Sequence, residues 1–280
     1  MFTEMVNKFG AAGGFESILQ VISSPKTSLT HVFYICDMLA KCQRMFHKSF
    51  VDYYFAQFAD TVEEKLVHAT VAQLKAANRE RLDELIDKVW KTLLARLHDS
   101  FALEVVRGKV IVKVGIFFLK QNFLAQRIDG AKMIDGVCKK VTMFGMDGET
   151  TTCAAGSNPK GLLIAILKDA NILELYFSNK NIHSQLVQRS HGLLKLLIGS
   201  QALSKDEIEM IWMSCEDDGD ATMLDLYGVL KSISSSLKPS ELTFFIDQVS
   251  KKTPDQVRGQ ELELMQHLAN QSSVADTALL

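Results

Sequence analysis

Apolar residues along this chain recur at helical rather than strand spacing. Leu82, Leu85, Ile86, Val89, Trp90, Leu93 and Leu97 step by three and four, which places them on one face of a helix. Arg81, Asp83, Glu84, Asp87, Lys88 and Lys91 fill the opposite side with mixed charge. The segment 61–99 is therefore predicted as the clearest helix, with a solvated outer face laced by i,i+4 pairs. Upstream, 30–58 is dense in rings: Phe33, Tyr34, Phe46, Phe50, Tyr53, Tyr54, Phe55 and Phe58. So many large apolar side chains predict packing between helices rather than a small-molecule site. Val110-Ile111-Val112-Lys113-Val114 is β-branched and reads as strand or helix; no second strand of similar quality lies nearby, which favours helix.

Residues 145–160 carry Gly, Thr and Ser without an apolar period, the pattern of a flexible loop and a boundary. Beyond it, helix signals become regular. Asn158-Pro159 predicts a capped start for a helix from Lys160 to about Phe177, and a second is expected from about His183 to Ile198. Ser204-Lys205-Asp206-Glu207 is a capping box, leading into helix 205–215 and then 220–235. Pro239-Ser240 opens another helix, and Thr253-Pro254-Asp255-Gln256 has the same logic. Starts recurring about every twenty residues give ~40 residues per helical hairpin, the period of HEAT and armadillo arrays. No residue-level repeat accompanies that spacing. The expected fold is all-α, an armadillo/HEAT-like helical-repeat solenoid of antiparallel helix pairs. Its expected divisions are an N-terminal helical region (1–144), the loop (145–160), a C-terminal hairpin array (161–270) and a disordered tail (271–280).

Composition sharpens this picture. Only four prolines occur, at 25, 159, 239 and 254, and so few turn-formers exclude a sandwich or barrel of many short strands. Lys and Arg number 31 against 33 Asp and Glu, a net charge of −2, which excludes nucleic-acid or anionic-membrane binding by bulk charge. No apolar run approaches the ~18 residues of a membrane span, and the N-terminus carries an acid, Glu4, where a signal peptide has bases. The five cysteines, Cys36, Cys42, Cys138, Cys153 and Cys215, are odd in number and lack Cys-x-x-Cys spacing. Reduced thiols in the cytoplasm or nucleus are expected, with no membrane insertion.

Chemistry-bearing patterns are sparse. Gly10-Ala11-Ala12-Gly13-Gly14 lacks the following Lys-Ser/Thr and the preceding strand of a phosphate loop, and reads as a turn between helices. The histidines at 31, 47, 68, 98, 183, 191 and 267 are scattered; His183 and His191, eight apart, have no acidic or Cys partner at ligand spacing, so capping or packing is expected. Glu216-Asp217-Asp218-Gly219-Asp220 lacks the alternating ligands and closing Glu of a calcium loop, and reads as a polar break between helices. Cys153, in the flexible loop, is the thiol to test as a nucleophile, yet no activating His is identified for it. No cofactor and no catalytic constellation are expected.

The stretch Leu167-x5-Leu173-x-Leu175-x-Phe177 is followed by Asn181-Ile182-His183-x2-Leu186-Val187-x-Arg189-Ser190, then by Leu203-Ser204-x-Asp206-Glu207-Ile208-x2-Ile211-Trp212. Together with Phe117-Phe118-Leu119-Lys120 and Ala125-Gln126-Arg127-Ile128-x-Gly130, it resembles the helical-repeat region of the very large, fat-facets type ubiquitin-specific proteases, over roughly 115–250. That family's protease domain holds its nucleophile in a Gly-x-x-Asn-x-Gly-Asn-x-Cys box, which neither Cys153 nor any other cysteine here matches. The resemblance implies a non-catalytic, armadillo-like interaction scaffold whose partners are proteins of the ubiquitin system. Within the matched stretch, Arg189 and His183 are the candidate partner-binding residues, though for Arg189 a pair with a carboxylate on a neighbouring helix is the favoured use. Trp212 is expected as a wedge between helices. Two other classes stay open: a cysteine hydrolase using Cys153, and a helical-repeat trafficking or transport adaptor.

Overall fold

The computed structural model of the chain describes residues 2–70, 72–73, 76, 79–89, 100–144, 159–178, 182–253, 257 and 259–277. Every regular element among the described residues is helical. The chain divides into two units, Met1–Val114 and Gly115–Leu280. The boundary expected at 145–160 thus falls inside the second unit, because helices on either side of it pack together.

The first unit contains α1 (Phe2–Ala11), α2 (Gly14–Ser23), α3 (Leu29–Cys42), α4 (Lys48–Val67), α5 (Arg79–Asp87) and most of α6 (Ser100–Leu119). Its core takes Phe46, Tyr54, Phe55 and Phe58 of the rings expected from 30–58, organised by Phe15 of α2, whereas Tyr34 and Tyr53 of that stretch are exposed. Phe46, Phe50, Tyr54 and Phe58 surround that ring with centroids 5.2–6.3 Å away. The glycine-rich run makes the α1–α2 turn. Gly13 adopts φ 83, and a Cβ on Gly10 would stand 2.5 Å from the Phe15 ring. Asn7 of α1 ties down the α3–α4 connection, donating to the Met45 carbonyl (3.1 Å) and accepting from the His47 amide (2.8 Å). Charged pairs link the outer faces: Asp37 with Lys88, Glu63 with Lys113, and Arg107 with Asp87 at 2.6 Å.

One expectation is corrected here and one ambiguity resolves in the favoured direction. The segment 61–99 is not one helix: α4 ends at Val67, and Leu82, Leu85, Ile86 and Val89 form a separate buried stripe on and just beyond α5. Trp90, Leu93 and Leu97 lie outside the described residues. The Val110–Val114 ambiguity resolves as helix within α6; Val110, Val112 and Val114 are buried along with Ile111, so a helix apolar all round replaces an apparent strand.

The second unit stacks α7 (Leu124–Phe144), α8 (Pro159–Asp169), α9 (Ile172–Phe177), α10 (Ser184–Gln188), α11 (His191–Gly199), α12 (Lys205–Asp218), α13 (Asp220–Ile233), α14 (Pro239–Ser250) and α15 (Gly259–Thr277). Contacts run between near neighbours in the series: α7 against α10 and α11, α9 against α12, α10 and α11 against α13, and α13 against α12 and α15. This is the all-α helical-repeat arrangement that the spacing of helix starts predicts. Sequence punctuation sets several ends. The Ser204–Glu207 capping box closes in both directions, at 2.8 and 3.2 Å. Pro239 opens α14, and Glu241 accepts from the Lys238 amide at 2.8 Å. Gly219, with φ 110, makes the acidic turn the expected break between α12 and α13.

Elsewhere the structure departs from the expected ends. The helix expected over 160–177 breaks at Asn171, whose backbone turns left-handed (φ 49), and the one expected over 183–198 breaks at Arg189–Ser190. The final helix begins at Gly259 rather than near 254; Pro254, Asp255 and Gln256 lie outside the described residues. It then runs to Thr277, so the first part of the expected tail (271–280) is helical. No helix among the described residues is long and apolar enough to cross a membrane.

Candidate functional site

The two candidate partner-binding residues, His183 and Arg189, stand at opposite ends of α10, a five-residue helix. His183 works as its N-cap: Nδ1 accepts from the Gln185 amide (3.2 Å), and the carbonyl accepts from Leu186 (2.8 Å) and Val187 (3.1 Å). The capping expected of the histidines is therefore realised at His183. Along α10, Ser184 and Gln188 both donate to Asp225 of α13, Gln188 at 2.8 Å, which fixes this short helix to its neighbour.

Arg189 follows at the break. Its amide returns to the Leu186 carbonyl (3.1 Å), and Ser190, fully buried, turns its hydroxyl to the Val187 carbonyl (2.7 Å). The guanidinium has no ion pair among the described residues, and its buried Nε has no hydrogen-bond partner. The neighbouring-helix carboxylate expected for Arg189 is not found among the described residues. The residue as a whole is only part-buried, and a guanidinium without an ion pair suits a carboxylate presented from outside. Its positive charge reaches the Tyr176 phenol, whose pKa burial drives well up and Arg189 opposes.

The far side of the break is held from α7. Asp135, 8% exposed, accepts from the Gly192 amide at 2.9 Å and from Lys139 at 2.6 Å. This carboxylate caps the N-terminal end of α11 across a tertiary contact, where the helix dipole favours negative charge. Gly192 permits the approach, since a Cβ there would stand 2.6 Å from Asp135 Oδ1. His191 beside it is held below the ordinary imidazole range, first by burial and then by the Lys139 charge. Also from α7, Arg127 donates to the Leu175 carbonyl (3.2 Å) near the end of α9, and Tyr176 donates to the Ala131 carbonyl (3.3 Å). Sequence reading missed Asp135 and Asp225. Their partners lie 57 and 37 residues away in the chain, beyond any local pattern.

Other chemistry-bearing groups are spent on structure. The acidic turn contributes Glu216 and Asp220 to a cleft of about 320 Å³ between α12, α13 and α15. There Lys252 bridges Glu216 (3.3 Å) and the buried Glu261 (2.8 Å), and Tyr227 donates to the same Glu261 carboxylate (2.8 Å). No group of His, Cys, Asp and Glu fit to hold a metal occurs among the described residues. Burial pushes the thiols of Cys36 and Cys215 up to about 12 and that of Cys138 higher still, the opposite of what a nucleophile requires. Cys153 lies outside the described residues.

A family model, the UBP24/USP9X/USP9Y ARM repeat, matches residues 102–279, more than half of the chain. No curated protein and no solved structure matches the chain.

Proposed function

The chain belongs to the UBP24/USP9X/USP9Y ARM-repeat family, and from that premise we propose that it is a non-catalytic protein-interaction scaffold of the ubiquitin system, acting in the cytoplasm or nucleus. The observation that carries the reading is Arg189, a part-buried guanidinium set at a break in the array with no ion pair among the described residues. It takes an acidic side chain of a partner protein, while His183 holds the helix that presents it. The elevated thiols of Cys36, Cys138 and Cys215 support a role without bond making or breaking.

The test is affinity capture with the full chain, read quantitatively against its Arg189→Ala variant. Proteins of the ubiquitin pathway are expected to dominate what is retained. The variant is expected to lose them at least several-fold while its melting temperature stays within a degree or two of the parent, because no internal pair is broken. A large loss of stability in the variant would return Arg189 to a structural role. Retention of transport and trafficking proteins instead would make the resemblance to the protease architectural. A fluorogenic ubiquitin substrate incubated with the chain is expected to stay intact, and turnover abolished by Cys153→Ser would sink the scaffold reading.

A further inference from the structure

In the first unit, Lys65 has no carboxylate partner among the described residues and stands beside a Ser-Pro turn in which Ser24 is half-buried. Ser24-Pro25-Lys26-Thr27 joins α2 to the N-cap of α3, and the Thr27 amide closes the turn on the Ser24 carbonyl at 3.0 Å. Pro25 and Lys26 are exposed. Ser24 has φ −57 and ψ 129, the conformation expected of a residue before proline. Its hydroxyl is engaged only weakly, accepting from the Lys26 amide at 3.4 Å. Lys65, in the last turn of α4, reaches across to the same residue and donates to the Ser24 carbonyl at 2.7 Å. It has no carboxylate partner among the described residues, and partial burial alone depresses its pKa.

We infer that Ser24 is a phosphorylation site for a proline-directed protein kinase, and that the phosphate pairs with Lys65 to clamp α2 onto α4. In the transfer, Ser24 Oγ attacks the γ-phosphorus of ATP and the bond to the β-phosphate oxygen breaks. ADP leaves, and the hydroxyl proton passes to the kinase's catalytic base. The product carries a charge of about −1.5 to −2 and three strong acceptors. Two effects then compete. A negative group beside the C-terminal carbonyls of α2 opposes the helix dipole, but that effect is screened at a surface position. A partly desolvated ammonium without a counterion among the described residues gains a charge-assisted bond, which is the stronger of the two, and exposed Lys26 adds to it.

The test uses the full chain, phosphorylated with a proline-directed kinase and ATP. Intact-mass and fragmentation analysis are expected to place a phosphate on Ser24, absent in Ser24→Ala. Thermal melts are expected to show a gain of roughly 3 °C on phosphorylation of the parent chain. Lys65→Arg should keep that gain, and Lys65→Gln should lose or reverse it. Failure of the folded chain to be modified at Ser24 overturns the inference. So does a melting temperature that falls on phosphorylation, or an equal gain in Lys65→Gln.

Discussion

Trp212→Ala is expected to lower the unfolding free energy by about 3–5 kcal/mol, the largest effect of any single truncation in the second unit. The indole is 1% exposed on α12. It packs with Tyr227 of α13 and Phe245 of α14, each at a centroid distance of 5.9 Å. Truncation therefore withdraws apolar surface from three helices at once. The surroundings are poorly able to close the gap. The neighbouring apolar seam of Leu194, Ile208, Ile211, Ile233 and Phe245 leaves only about 10 Å³ that a water molecule could occupy, so water is a poor substitute for the lost ring. A repeat array is stabilised chiefly by interfaces between adjacent helices, which makes such a loss local and steep. Urea denaturation followed by circular dichroism measures it. Trp212→Phe, which keeps a ring against Tyr227 and Phe245, should cost less than half as much. An alanine variant within about 1 kcal/mol of the parent would mean that α12, α13 and α14 do not share this core.

What the sequence made legible follows from how far each cause reaches along the chain. The Ser204–Glu207 box and Pro239 act within one helical turn, so their helix starts are readable from the letters and stand where expected. The aromatic stretch 30–58 is legible as a source of core rings such as Phe46, Tyr54, Phe55 and Phe58, but composition does not tell these from the exposed Tyr34 and Tyr53. The breaks at Asn171 and Arg189–Ser190 are not legible in that way. Both interrupt runs with a continuous apolar period, and at the second the interruption is held by distant carboxylates, Asp225 on one side and Asp135 on the other. Val110–Val114 was ambiguous for a related reason: burial on all sides erases the period that distinguishes strand from helix. Arg189 was legible as a residue with two uses, but only its surroundings separate them. The absence of an internal carboxylate among the described residues is a tertiary fact.

The carboxylate that holds the second half of that break gives the other large expectation. Asp135→Ala should destabilise the chain by about 2–4 kcal/mol. The Gly192 amide, buried against α7, loses its acceptor and cannot regain water without opening the α7–α11 contact; an orphaned buried donor costs about 1–3 kcal/mol. The helix-end charge interaction adds about 0.3–1 kcal/mol. The i,i+4 pair with Lys139, itself half exposed, adds only a few tenths. Replacement by asparagine separates these contributions. Its amide oxygen can still accept from Gly192, so Asp135→Asn should cost about 1 kcal/mol, chiefly the lost charge. Lys139→Ala should cost under about 0.5 kcal/mol. If Lys139→Ala were as damaging as Asp135→Ala, the surface pair and not the tertiary cap would be holding the two helices together. If aspartate-to-asparagine were as damaging as alanine, charge rather than the shared hydrogen bond would set the geometry at Gly192. The expected order, alanine well above asparagine and asparagine above the lysine truncation, ties the N-terminal end of α11, just past Arg189, to a single buried acceptor on α7. Loosening that acceptor should reduce partner capture along with stability, whereas removing Arg189 itself should reduce capture alone.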